Sequence, residues 1–141
     1  TVSTFGNTAG GNDIQFPSGT WRAVNVSTPV GTTGWFKGTG FPARTGPGLI
    51  NANYHNTSGN NTITNFMMSP VRVFANGDRI RFWTRAVDAP AFADLLSLRL
   101  STDGASTAPG SFSRVLLTIN ASLAATGYPA GWTQFTGLFR A

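Results

Sequence analysis

The chain contains no cysteine, no glutamate and only one lysine among its 141 residues. Without cysteine it has neither disulfides nor thiolate metal sites, so a fold of this length must rest on its apolar core. Charged residues make up 11% of the chain, less than half of the usual share in a globular protein. No apolar run approaches the ~20 residues that cross a membrane as a helix, so we expect no membrane insertion.

Serine, threonine, asparagine and glycine take the place of the missing charges. This composition is typical of extracellular β proteins, and it predicts an extracellular or cell-surface location. Nine arginines and one lysine against five aspartates give a net charge of +5, and the arginines are spread over the whole chain. Since there is no basic helix and no recognisable RNA- or DNA-binding motif, we expect no specific nucleic-acid partner.

Short strand-like runs recur along the chain, separated by Gly, Pro and Asn. Eight strands are predicted: 20–26, 34–38, 48–54, 61–69, 78–87, 94–101, 113–120 and 132–140. Two further strands are candidates at "STF" and "VRV", and "SLAATGY" (122–128) is the one candidate turn of helix. The pattern predicts an all-β jelly-roll sandwich of two antiparallel sheets, with one domain over 14–141 and an N-terminal arm over 1–13.

Alternation along "NGDRIRFWTRAV" predicts two different faces for one strand. The inward face comprises Ile80, Phe82, Thr84 and Ala86. The outward face comprises Arg79, Arg81, Trp83 and Arg85. The same rule places further core residues on two later strands: Leu96, Leu98, Leu100, Val115, Leu117 and Ile119. On a sheet surface, arginines oppose edge-to-edge aggregation and can stack on a ring such as that of Trp83.

Six motifs follow one another in a characteristic order. They are "PSGTW" (17–21), "GWF" (34–36), "NFMMSP" (65–70), "IRFWTR" (80–85), "LSLRLST" (96–102) and "YPAGWT" (128–133). This series resembles the choice-of-anchor J domain, which is related to the cleaved adhesin domains and to MAM-like jelly rolls. The resemblance implies a secreted β-sandwich of bacterial surface proteins that serves adhesion rather than catalysis.

The chain departs from that family pattern at both ends. The family opens with an acidic strand, whereas Asp13 is the only acid in "TFGNTAGGNDIQF" here. The family also continues after "WTQFT" with two further strands, whereas this sequence stops at "GLFRA". The resemblance therefore implies a sandwich that lacks one or two of its final strands.

Candidate catalytic groups are few. His55 is the only histidine, and no nucleophile elbow accompanies it. Glycoside hydrolysis needs a pair of carboxylates, and the five aspartates include Asp78 and Asp103 in turn contexts. We expect no enzyme activity and no cofactor. Calcium stays open as an alternative, with Asp13, Asn12 and Asp88 as its candidate ligands.

The first functional hypothesis is self-assembly. A sandwich short of strands leaves an unpaired edge. Three explanations are open: the chain is a fragment, the N-terminal arm folds back over the gap, or a strand from a neighbouring copy completes the edge. In the arm, Val2 and Phe5 are the candidate anchors, while the outward arginines Arg79, Arg81 and Arg85 would contact the next subunit. Applied head to tail, this pairing gives a homopolymer or filament.

Two alternatives stay open. One is a monomeric adhesin domain. The other is a carbohydrate-binding module in which Trp83, with the loop residues Asn56 and Asn60, contacts a glycan or another surface ligand.

Overall fold

The computed structural model of the protein describes residues 13–38, 42–87 and 91–140. Within them it contains nine strands: β1 (Ile14–Phe16), β2 (Gly19–Asn25), β3 (Phe36–Gly38), β4 (Leu49–Asn51), β5 (Asn65–Met68), β6 (Arg79–Thr84), β7 (Leu96–Leu100), β8 (Arg114–Ile119) and β9 (Thr133–Leu138). The only helices there are two single 3-10 turns, Tyr54–Asn56 and Pro109–Ser111. The prediction of an all-β fold is therefore confirmed. The chain divides into two compact units, Thr1–Arg72 and Val73–Ala141, and the single domain over 14–141 stays a prediction.

The first unit contains an antiparallel sheet in the order β1-β2-β5 and a separate β3-β4 ladder. Ile14 of β1 and Ala23 of β2 are buried on one face of this sheet, and Met68 of β5 is buried on the other face. Phe16 and Trp21 meet edge to face with their ring centroids 5.4 Å apart. Such an edge-to-face pair adds to the stabilisation that burial alone provides.

The second unit contains two antiparallel ladders, β6-β9 and β7-β8. On the inner side of the first ladder, Phe82 lies opposite Phe135, and their rings stack with centroids 6.2 Å apart. Gly137 of β9 has no side chain, and the space where its Cβ would lie is occupied by Leu98 of β7. The two ladders therefore approach each other closely, which only glycine at this position allows.

A bulge in the β7-β8 ladder corrects one part of the predicted core. Leu98 pairs with Leu117, but the next residue, Arg99, pairs with Val115, so Leu116 is the extra residue. The extra residue turns the β8 side chains that precede it towards the opposite face of the ladder. Val115 therefore points outward and is 48% exposed. Leu116 is half-buried, with its Cβ 3.9 Å from the Cβ position of Gly137. The prediction that Val115 belongs to the core is wrong, and Leu116 takes its place.

The eight predicted strands are all present; β2 is shifted by one residue from its predicted range, the other seven are shorter than predicted, and β1 was not predicted. Residues 71–73 ("VRV") are not a strand; Val73 is 98% exposed, and the Arg72 guanidinium donates a hydrogen bond to the carbonyl of Ser18. The candidate strand "STF" lies outside the described residues.

The segment 122–128 forms turns instead of a helix. The Asn120 carboxamide accepts a hydrogen bond from the amide of Ala124 and donates one to its carbonyl, which holds the backbone in a turn. No helix among the described residues is long and apolar enough to cross a membrane.

Candidate functional site

In the first unit, the β3-β4 ladder brings a pair of loops together. Phe36 pairs with Asn51 in antiparallel register. The residues that precede β3 therefore meet the residues that follow β4. Thr32 and Thr33 both donate backbone hydrogen bonds to the carbonyl of His55, at 2.8 and 3.1 Å. Residues 30–33 and 54–57 thus form one hydrogen-bonded structure.

The second of these loops is a capped 3-10 turn over Tyr54–Asn56. Asn53 is its N-cap, and its Oδ1 accepts a hydrogen bond from the amide of His55 at 3.0 Å. In return, Asn56 Oδ1 accepts one from the amide of Asn53 at 3.1 Å. This reciprocal pair is a capping box, which satisfies two backbone donors that the turn itself leaves free.

A buried polar network fixes the turn to the body of the unit. Asn25 at the end of β2 donates through Nδ2 to the carbonyls of Thr33 and Asn56, at 2.8 and 2.7 Å. The Thr33 hydroxyl lies 2.6 Å from Asn56 Oδ1 and 2.9 Å from Asn53 Oδ1, and it donates its proton to this pair of oxygens. Asn56 Nδ2 is buried without a hydrogen-bond partner, but breaking any of the bonds named here would leave a further buried polar atom unpaired, which favours a single geometry.

Between the two loops lies an open cleft of about 480 Å³. Its lining residues are Val30, Gly31, Thr32, Tyr54, His55, Thr57, Ser58, Gly59 and Asn60. None of them is Asp, Glu, Lys or Arg. The Tyr54 and His55 rings lie 3.9 Å apart between centroids, and Tyr54 is 74% exposed. The cleft therefore combines an exposed aromatic surface with uncharged hydroxyl and amide groups.

In the second unit, the outer face of the β6-β9 ladder carries three of the four side chains that were predicted to face outward. Arg79, Arg81 and Trp83 are exposed, as the alternation predicts, and Trp83 pairs with Gln134 of β9. Arg85 does not lie on the exposed face of the strand as predicted. The strand ends at Thr84, and Arg85 is half-buried and donates from Nε to the carbonyl of Ala86 at 2.9 Å. The ladder ends there because β9 begins at Thr133, the partner of Thr84.

The three residues that were predicted to contact a glycan lie in different surroundings. Asn60 is exposed and lines the cleft in the first unit, while Trp83 belongs to the second unit. Asn56 is fully buried, because the polar network uses its side chain and its carbonyl. The prediction that Asn56 contacts a surface ligand is therefore wrong. Val2 and Phe5 lie outside the described residues.

Three of the four described carboxylates have local partners. Asp13 forms an ion pair with Arg22 at 3.5 Å, Asp78 accepts from the amide of Ala75, and Asp103 accepts from the hydroxyl of Ser111. Among the described residues no three His, Asp or Glu side chains are grouped as metal ligands would be. Two of the candidate calcium ligands, Asn12 and Asp88, lie outside those residues.

One buried ionisable group in the second unit is Tyr128. Its hydroxyl lies 2.7 Å from that of Thr84, and the two share a hydrogen bond. Burial raises the pKa of Tyr128, an effect that the hydrogen bond opposes and the charge of Asp94 reinforces. The phenol is therefore a protonated structural group at neutral pH.

Sequence reasoning missed Tyr54 and the polar network beneath it. The available signal was the spacing of Asn53 and Asn56, which is that of an N-cap residue and its capping-box partner. The chain matches no family model, no curated protein and no solved structure.

Proposed function

We propose that the chain is a non-catalytic extracellular structural or adhesive protein that assembles with further copies of itself through its strand edges. The observation that carries the proposal is strand pairing. Within residues 13–38, 42–87 and 91–140, the strands β3, β4, β6, β7, β8 and β9 each have one strand partner. An isolated two-stranded ladder is at best marginally stable in water. A strand from a neighbouring copy would supply further main-chain hydrogen bonds.

Exposed apolar side chains support the same proposal. Val115 lies on β8 and Trp83 on β6, and both are exposed next to a strand edge. Exposed apolar groups are common singly on soluble proteins, but together with unpaired strand edges they are typical of association surfaces. With charged residues at only 11% of the chain, little electrostatic repulsion opposes close packing of subunits.

The finer architecture belongs to the same proposal. The jelly-roll sandwich and the membership of the choice-of-anchor J family rest on the ordered motifs described above. In the arm, Val2 and Phe5 are the proposed anchors of a donated strand, and Arg79 and Arg81 are the proposed contacts to the next subunit. A donor arm used head to tail gives an open filament where the rotation between subunits does not close a ring, and a filament is the assembly that we expect.

The test compares assembly in three proteins by light scattering after size exclusion and by electron microscopy. The full chain is expected to form concentration-dependent oligomers or filaments, and a deletion of residues 1–11 is expected to reduce them. Val115→Lys places a charge on an edge strand, which is how natural sheets block edge pairing, and it should also reduce assembly. Ala105→Lys is the matched control, because it adds the same charge in an exposed turn.

A full chain that stays monomeric at high concentration would contradict self-assembly. The alternative of a monomeric adhesin domain then replaces it. If Ala105→Lys reduces assembly as much as Val115→Lys does, the effect is one of net charge and the strand edge has no part in it.

A further inference from the structure

The cleft between residues 30–32 and 54–60 has the features of a ligand site that self-assembly does not use. We propose that it binds an uncharged sugar residue at the end or in the middle of a glycan chain, with the Tyr54 ring as its main contact. The inference goes beyond self-assembly, since it concerns a different surface and makes no use of strand edges.

The size and exposure of the cleft fit a small ligand. Binding sites for small molecules have volumes of roughly 300 to 1,000 Å³. At about 480 Å³ the cleft lies in the lower half of that range. The exposed Tyr54 ring, backed by His55, offers a flat apolar surface against which the C–H face of a pyranose can pack.

The polar groups of the cleft match the hydroxyls of a sugar. Ser58, Asn60 and Thr32 are exposed and line the cleft, and together they offer both donors and acceptors. A ligand that bears carboxylates or sulfates would find no Lys or Arg side chain among the described residues of the lining. An uncharged glycan gives up less hydration free energy when it leaves water than a charged ligand does, and it needs no ion-pair partner.

The loops are already held in place before a ligand arrives. Asn25, Thr33 and the Asn53–Asn56 capping box fix the backbone that bears Tyr54 and His55. A preorganised site binds more tightly because few rotamers and little backbone must be ordered on association. This rigidity distinguishes the cleft from an ordinary polar loop.

The experiment titrates the full chain with three uncharged probes, maltotetraose, cellotetraose and mannotetraose, and follows binding by calorimetry and by amide chemical shifts. We expect at least one probe to bind with a Kd below about 1 mM. The shifts are expected at Ser58 and Asn60. Size exclusion on the same samples reports the oligomeric state, so a failure of self-assembly and a failure of sugar binding are read separately.

Variants assign the binding to the cleft. Tyr54→Ala should weaken it at least about tenfold, whereas Tyr54→Phe, which keeps the ring, should stay within about threefold of the wild type. The side chain of Tyr54 is mostly exposed, so both variants are expected to fold. Trp83→Ala is the control for the β6-β9 face and should leave the affinity unchanged. A heparin tetrasaccharide serves as the charged counter-probe, and its binding should be insensitive to Tyr54→Ala.

Three results would overturn the proposal. The first is that none of the three probes binds at millimolar concentration. The second is that Tyr54→Ala binds as well as the wild type, and the third is that Trp83→Ala abolishes binding, which assigns the sugar to the β6-β9 face.

Discussion

The sharpest structural prediction concerns Gly31, where the two loops of the cleft come closest. A Cβ on Gly31 would overlap the carbonyl oxygen of His55 and would lie 2.6 and 2.7 Å from the backbone O and N of Thr57. All three neighbours are backbone atoms, which cannot rotate away as a side chain can. Gly31→Ala must therefore push the two loops apart.

The cost follows from the bonds that join the loops. Three backbone hydrogen bonds depend on the close approach: Gly31 to Asn56, Thr32 to His55 and Thr33 to His55. Each contributes about 0.5 to 1.5 kcal/mol net, so losing all three destabilises the protein by roughly 3 kcal/mol. That is a large fraction of the roughly 5 to 15 kcal/mol by which a typical domain is stable.

The assay is urea unfolding followed by tryptophan fluorescence, with the free energy extrapolated to water. Gly48→Ala is the matched control in the same unit, because its Cβ would meet only the flexible end of Lys37, at 3.4 Å. We expect the control to stay within about 0.5 kcal/mol of the wild type. If Gly31→Ala is no less stable than Gly48→Ala, the loops are not in the close contact described here.

Three further predictions concern the second unit. Because of the bulge in β8, Leu116→Ala should lower the free energy of unfolding in urea by about 1 to 2 kcal/mol more than Val115→Ala does. Equal losses would indicate a β8 strand without the bulge. Gly137→Ala should destabilise by about 1 to 3 kcal/mol, because a Cβ there overlaps a leucine side chain, whereas Gly131→Ala should be nearly neutral; the reverse order would contradict the ladder packing. Asp94 is an exposed residue whose carboxyl is partly desolvated, and this partial burial raises its pKa, so the folded state holds that proton more tightly than the unfolded chain does. Stability from this group is therefore fully present below the unfolded pKa and is lost as pH rises through the folded pKa. Asp94→Asn should raise Tm relative to the wild type at pH 7 and match it at pH 3, and an equal difference at both pH values would refute this linkage.

Much of the secondary structure could be predicted because its signals are local. The strand around Ile80 and Phe82 follows from period-two alternation, and the exposure of Arg81 and Trp83 follows from the same pattern. Turn residues separate the strands, so all eight predicted strands are present. The ends were less predictable, because a strand ends where its partner ends, as β6 does at Thr84 opposite Thr133.

The candidate site was mostly beyond reach of the sequence. Asn56 and Asn60 stand in one polar loop, yet one is buried and the other exposed. The spacing from Asn53 marks Asn56 as a capping-box residue, but its burial depends on Asn25 and Thr33, which lie far away along the chain. The cleft exists only once the β3-β4 register has brought the two loops together.

By itself the sequence determined the all-β class, the position of the strands and the faces of β6, because backbone alternation acts within each strand. The tertiary structure alone decided that Leu116 replaces Val115 in the core and that Gly31 lies against the turn bearing Tyr54. Both depend on register between strands that are distant in the chain. A shift of one residue there exchanges the two faces of a strand, and no local pattern encodes which register packs best.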